Sequence, residues 1–314
     1  MKPLRLLLGF VFLLLAVHGA AWFWMTRQLG AGYAQWADAM RIQGWTVADG
    51  APAASGWPLA ADLVVPALLL EGSGISWSSD AVRLRIAPFA PGTLQIRPEG
   101  VQRVRVAGLG ELQAAADAML ALVPLKAPDT ADLAATEVRV ATPWGELTVA
   151  ALGGRTTPFS ATMWASGIGA PARSDAAAEA SFEATLSEAV PLSRSTTRRA
   201  RLWRDAGGSL AVQQLALRWG ELRVEGNGMV RLDGSLQPQA EASLRLTGYG
   251  TALRALGEAG VVSPSSAMAA NAVLGLMARP SAGMVDVPLV LSDGVVRMGQ
   301  IPLLRLPLLA WPAP

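Results

Sequence analysis

The chain has no cysteine among its 314 residues. Disulfides, thiolate nucleophiles and sulfur-ligated metals are thereby excluded. It has one histidine, His18, inside an apolar N-terminal run. The rest of the chain has no imidazole for general-base work or for zinc. Charged residues make up only 16% of the sequence, against about 25% in ordinary soluble domains. Lysine occurs at Lys2 and Lys126 alone, and every other cation is arginine. That bias reads as genomic base composition before it reads as phosphate recognition. The net charge of +2 is too small to imply a nucleic-acid partner.

Familiar catalytic signatures are missing as well. There is no Gly-x-Ser-x-Gly elbow and no phosphate-binding loop. Gly226-Asn227-Gly228 lacks the third glycine of a dinucleotide fingerprint and sits mid-strand. A Ser–Lys dyad would have to use Lys126, which lies between prolines. Paired carboxylates can hydrolyse a glycosidic bond, but the acids here fall on outward strand positions, the pattern of a solvated sheet face. No Asp-x-Asp loop supports calcium. The expectation is a non-enzymatic protein with no catalytic, cofactor-binding or metal-ligating residues and no cofactor.

What is present begins with the N-terminus. Lys2 and Arg5 precede residues 6–24, a stretch free of charge if His18 is neutral. A helix of ~20 apolar residues spans a bilayer core, and flanking cations stay on the cytoplasmic side. A cleaved signal peptide is the alternative, with Gly19-Ala20-Ala21 as a small-residue site. Trp22-Phe23-Trp24 behind it suits an interfacial aromatic belt, so an uncleaved anchor is favoured. This predicts a single-pass inner-membrane protein with its bulk in the periplasm. His18 reads as a neutral histidine tolerated in the outer half of the span. Thr26 to Gln43 continues as a helix with a stripe of Leu29, Tyr33, Trp36 and Met40, expected to pack on the first sheet.

The rest alternates with a period of two. From Glu221 to Leu232, Leu222, Val224, Val230 and Leu232 fall on one face, with Gly226 and Gly228 between them; Glu221, Arg223, Glu225, Asn227 and Arg231 fall on the other. Asp233-Gly234 is a hairpin signal, and Leu244 and Leu246 repeat the pattern in the next strand. Short strands are also expected at 75–77, 81–87, 94–97, 101–106, 136–141, 147–152 and 180–186. Residues 111–123 are ambiguous between helix and a long strand. Residues 165–178, rich in Gly, Ala and Ser, read as a loop, and the arginine run 194–204 as a solvated turn that could also meet anionic headgroups. Two short helices are expected at 250–257 and from Pro264, the second presenting Met268, Ala272 and Leu276 with Ala269, Val273 and Met277 as a core face. Pro288 should confine its strand to an edge. The Pro-Leu tail, 301–312, is either tucked against the body or docks a partner. Pro143-Trp144-Gly145-Glu146-Leu147 echoes Arg218-Trp219-Gly220-Glu221-Leu222, an arrangement compatible with a duplicated hairpin.

The helix with Trp36, then Gly44-Trp45-Thr46-Val47, Ser55-Gly56-Trp57-Pro58-Leu59 and Leu84-Arg85-Ile86-Ala87-Pro88-Phe89, resembles a bacterial family of anchored envelope proteins, domain of unknown function 2125. Residues 286–303 resemble that family's closing strand pair and are similar to the end of AsmA-like envelope proteins. The family transfers no catalytic residues. The AsmA likeness implies a β-rich periplasmic groove and a role in outer-membrane lipid homeostasis.

The expected fold is therefore mainly β (α+β): a transmembrane helix, then a large antiparallel, AsmA-like sheet forming a groove or sandwich under a few helices. The expected divisions are an anchor (1–25), a helix plus β-rich half (26–164), and a second β-rich half with a helix pair and tail (179–314). The candidate apolar groove comprises Trp144, Trp219, Leu222, Val224, Val230, Leu232, Leu244 and Leu246. Expected partners are the inner membrane through residues 6–24 and lipid or another apolar ligand. The alternative is a structural protein that binds an envelope partner through sheet edges or the tail. The two readings part on whether the inner sheet face is open or closed.

Overall fold

The structure, a computed structural model, describes residues 2–72, 74–106, 110–142, 145–170, 173–191, 193, 195–258, 264–278, 284–309 and 311. It begins with one helix, α1 (Lys2–Ile42). At 1.5 Å per residue α1 is about 60 Å long, and it is long and apolar enough to cross a membrane. The anchor run and the following amphipathic helix are thus one continuous rod.

Strands then follow almost without interruption. They are β1 (Thr46–Ala48), β2 (Ala53–Ser55), β3 (Ala61–Gly72), β4 (Ile75–Ala87), β5 (Ala90–Val106), β6 (Gly110–Ala115), β7 (Ala118–Pro124), β8 (Ala131–Thr142), β9 (Gly145–Thr156), β10 (Ser160–Ala170) and β11 (Arg173–Leu186). A helix, α2 (Thr196–Asp205), leads to β12 (Leu210–Trp219), β13 (Leu222–Leu232) and β14 (Pro238–Thr247). Two more helices, α3 (Tyr249–Glu258) and α4 (Pro264–Met277), precede β15 (Val285–Ser292), β16 (Val295–Met298) and β17 (Ile301–Arg305).

All described pairings are antiparallel, and they join the strands in chain order into one sheet. The first edge is shared by β1 and β2, which pair with opposite ends of β3. Similarly β6 and β7 are one broken strand between β5 and β8. The sandwich alternative is not formed: the architecture is a single, very wide meander.

Several expectations need correction. The short strands at 75–106 merge into β4 and β5: the Ser78–Asp80 break is a register shift between Ser79 and Ala81, met across the pair by a left-handed Gly100 (φ 74°), and Pro98 pairs in register with Val82. The ambiguous 111–123 segment is the broken strand. Within the Gly/Ala/Ser stretch 165–178, residues 165–170 and 173–178 are paired strand, not loop, with Ile168 facing Ala178 across β10 and β11; residues 171 and 172 lie outside the described residues. Alanine and glycine reflect here a requirement for small side chains, not for a turn. The arginine run forms α2, capped by Ser195, whose side chain accepts from the Arg198 N–H; Arg194 itself lies outside the described residues. On α4, Met268 and Leu276 are exposed (69% and 89%); Val273 faces the core as expected, and Leu274 joins it there. Pro288 is not on a terminal strand, since β15 pairs with β14 along its length and with β16 only over Val290–Ser292. It sits where the second partner has ended, so no ladder bond is lost. The tail is tucked: Leu309 N–H donates to Gln237 Oε1 at 2.8 Å, and Trp311 Nε1 donates to the Leu236 carbonyl at 2.9 Å.

Two cores stabilise the ends of the sheet. At the first, Leu29, Tyr33 and Ala37 of α1 pack on Val47, Ala61, Leu63, Val65, Leu68 and Val82. Trp36, expected in that stripe, is 36% exposed and flanks Tyr33; Ala37 fills the close approach. At the far end, Val285, Val287 and Met298 are buried with Leu244, Leu246, Tyr249 and α4 around them.

Adjacent strands rotate by about 20–25°, so β3 and β11 differ by roughly half a turn. That accumulated twist explains a contact no strand pairing would give. Arg199 of α2 donates to the carbonyl of Gln43, just beyond α1, at 3.3 Å. The sheet is thus a coiled ribbon that returns to its starting helix.

Candidate functional site

Between the two cores lies sheet that no helix covers. Apart from grazing contacts, α1 packs on β1 and β3, α2 and α3 on β13, and α4 on β15. The register places apolar residues opposite one another from strand to strand. One row runs Leu63, Leu84, Ile96, Ala121, Leu133, Gly154. It continues through Met163, Phe182, Leu215, Gly226, Leu244 and Val287. Directly opposed residues share a face, so this is a single apolar band crossing the whole sheet. At ~4.8 Å per strand, its part from β7 to β12, which neither core nor helix packing reaches, is about 24 Å long.

The candidate residues lie on this face. Leu217, Val224 and Leu246 are opposed across β12, β13 and β14, as are Trp219 and Leu222. Val230 and Leu232 continue the same side of β13, whose exposure alternates residue by residue along its length. Trp219, Leu222, Val224, Val230, Leu232, Leu244 and Leu246 are all half-buried. Trp144 lies outside the described residues. Side chains on the apolar face remain partly shielded although no second layer covers them. Ala135, Val138, Ala178 and Ala184 are even buried (2–8% exposed), which requires the sheet to curl toward this side.

Sequence reading missed the importance of the small residues. Ala161, Ala165, Ala178, Ala180, Ala184, Gly226, Gly228, Ala240 and Ala242 hold inner-face positions in β10, β11, β13 and β14. These alanines and glycines line the floor of the curl. A face of leucines would fill its own concavity; a face of alanines leaves room. The signal was available as alanines in alternate positions flanked by polar residues.

The opposite face is polar and charge-paired across strands. Arg155 meets Asp132 at 2.6 Å, Arg218 meets Glu179 at 2.6 Å and Arg245 meets Asp286 at 3.0 Å. The hydrogen bond from Arg155 holds the Asp132 carboxyl below its ordinary range. Asp80 is lowered first by the Val101 N–H and then by Arg103, and Glu111 by Arg105 and then Gln113. A furrow of about 520 Å³ on this side runs between long polar chains of Asn227, Arg231, Gln239 and Glu241; it is open and has no converging acid pair.

Asp62 is the one buried carboxylate among the described residues (0% exposed). It accepts two 2.7 Å bonds from Arg85 and a longer one from Arg83, which also binds Glu99. Those bonds raise the Arg85 guanidinium above its usual range. The acid is neutralised by structure and has no second carboxyl facing a cleft. Among the described residues, no three His, Asp or Glu side chains gather as metal ligands.

His18 proves to be tied to the SGWPL segment. Its Nε2 lies 2.6 Å from the Pro58 carbonyl; a carbonyl only accepts, so Nε2 carries the proton. Trp22 Nε1 donates to the Ala60 carbonyl at 2.8 Å. Trp57 packs on both rings, 5.0 Å from His18 and edge-on to Trp22 at 5.7 Å. Nothing in the sequence connected residues 18 and 58; only the α1–β3 packing does.

No curated protein and no solved structure matches the chain. The AsmA-like likeness therefore rests on residues 286–303 alone. Residues 22–307 match the family described as "Uncharacterized protein conserved in bacteria (DUF2125)", and the chain belongs to that family.

Proposed function

We propose that this is a non-enzymatic, membrane-anchored protein that holds lipid or another apolar ligand on the curled face centred on β7 to β12. One observation carries the reading: an apolar band whose helix-free part is about 24 Å long, floored by alanine and glycine, with helices packed only toward its ends. Contiguous exposed apolar surface of that extent is unusual in a soluble protein and marks a binding surface. The band exceeds the ~15 Å of a single leaflet's hydrocarbon, so it has room for an extended acyl chain. Lys2 and Arg5 ahead of the span follow the positive-inside pattern, which supports a periplasmic location for the sheet and, with it, a role in envelope homeostasis. The paired acids of the outer face and the neutralised Asp62 support the non-enzymatic reading.

Native mass spectrometry with lipid extraction tests this on the full chain in nanodiscs or mild detergent. Stoichiometric co-purified lipid that disappears in Leu222→Asp, with the fold intact by circular dichroism, is the expected result. A lipid-free protein under the same conditions would overturn it.

A second reading has its own support. Among the described residues β17 pairs with β16 alone, and Ile301 and Leu303 are about half exposed (47% and 51%). Such an edge accepts an added strand from an envelope partner.

A further inference from the structure

The Gly56–Ala60 loop sits beside the membrane-crossing part of α1. Residues 6–24 would extend about 28 Å as helix, close to the ~30 Å hydrocarbon core. His18, which binds Pro58, lies six residues before the end of that run, or about 9 Å deeper than Trp24. A side chain at Gly19 would likewise touch the Trp57 ring. With residues 6–24 in the bilayer core, the loop cannot stay in bulk water.

The loop is built for that depth. Trp57 is 49% exposed and Leu59 82%, an unfavourable display in water. Polar backbone groups in hydrocarbon must find partners inside the protein. Here Pro58 has no N–H, and its carbonyl takes His18. The Ala60 carbonyl takes Trp22. The Leu59 and Ala60 N–H groups both reach the Gly56 carbonyl at 3.0 Å. Two side chains of the span thus satisfy the loop that lies against it.

The neighbouring hairpin tips extend the same surface. Ala61, next to the loop, pairs with Ile86, which leads to the β4–β5 tip at Phe89, fully exposed at 101%. The β7–β8 tip follows: Leu125 N–H donates to Gly92 O at 2.9 Å, and its side chain is 47% exposed. We infer that Trp57 and Leu59, with Phe89 and Leu125 beside them, are seated in the membrane leaflet on the sheet's side, α1 and these tips forming one bilayer-contacting surface. The occupant is the lipid bilayer because the patch is continuous with the span. The inference goes beyond the ligand reading and stands without it. The apolar face of β3 to β5 then begins at lipid.

The absence of cysteine makes the test direct. Single substitutions Leu59→Cys, Phe89→Cys and Asn227→Cys, labelled with bimane, are reconstituted as full chains in phosphatidylcholine vesicles carrying doxyl-labelled acyl chains. Leu59 and Phe89 are exposed, so labelling them does not test folding. The expected result is loss of more than half the emission at positions 59 and 89, and no loss at 227, on the polar face of β13. Equal emission at 59 and 227 overturns the inference. Quenching at 59 without quenching at 89 overturns its extension to the hairpin tips. Either result leaves lipid extraction from the central face as a separate measurement.

Discussion

The start of the sheet and its centre are written in the same alternating pattern yet end in opposite conditions. In β3, Ala61, Leu63 and Val65 are buried, with at most 5% exposure, because α1 lies on them. In β13, Leu222, Val224 and Val230 occupy equivalent positions and stay half exposed, because α2 and α3 meet the strand only around its ends, at Gly234 and Glu221. Alternation therefore fixes which side is apolar but not whether that side is a core. What decides is the supply of covering helix, and the chain packs its helices mainly toward the two ends.

The comparison can be tested by placing a charge on each side of it. Val65→Asp should destabilise the protein by ~3–5 kcal/mol, since the carboxylate would be unpaired beneath α1. Val224→Asp should cost under ~1.5 kcal/mol, because the side chain reaches water. Thermal denaturation of both in the same detergent gives the difference; equal losses would mean the central face is covered.

Asp62→Ala should follow in size, at ~1–3 kcal/mol, as Arg85 and Arg83 lose a buried acceptor but keep partial access to water. Denaturant titration would show it. Ala180→Phe should sharpen the comparison without lowering stability. It fills the floor opposite Leu217, so co-purified lipid should fall while the melting temperature holds. The smallest effect belongs to the outer face. Asp80, Glu111 and Asp132 have lowered folded-state pKa values. Their contribution is present above the ordinary carboxylate pKa near ~4 and is lost as pH falls through the folded values. Asp132→Asn should leave the melting temperature at pH 7 unchanged within error and flatten only the acid limb of the pH–stability curve.

The strands were legible where period two was strong: β13 and β14 lie within a residue or two of their expected positions. The reading failed where small residues broke the pattern. Residues 165–178 looked like a loop because alanine and glycine are ordinarily poor strand formers; here a curled inner face needs them. The α2 helix was hidden because its N-cap, Ser195, stands beside arginines that read as a turn. On α4, periodicity gave one broad face, and tertiary packing kept Val273 of it, added Leu274 and left Met268 and Leu276 exposed. The site's apolar lining was visible in the sequence, but its openness was not, since that depends on where α1, α3 and α4 come to rest. His18 with Pro58 was invisible for the same reason.

The sheet's connectivity has a consequence for assembly. Nearly every strand pairs with its predecessor in the chain, so few pairings have to wait for a segment far along the sequence. A chain growing behind α1 would meet its pairing partners in the order they appear, β3 first on that helix. Only closures such as Arg199 to Gln43 and Trp311 to Leu236 must wait for distant segments. The ribbon can therefore grow strand by strand from its anchor, with the tail, which docks at the β13–β14 turn, arriving last.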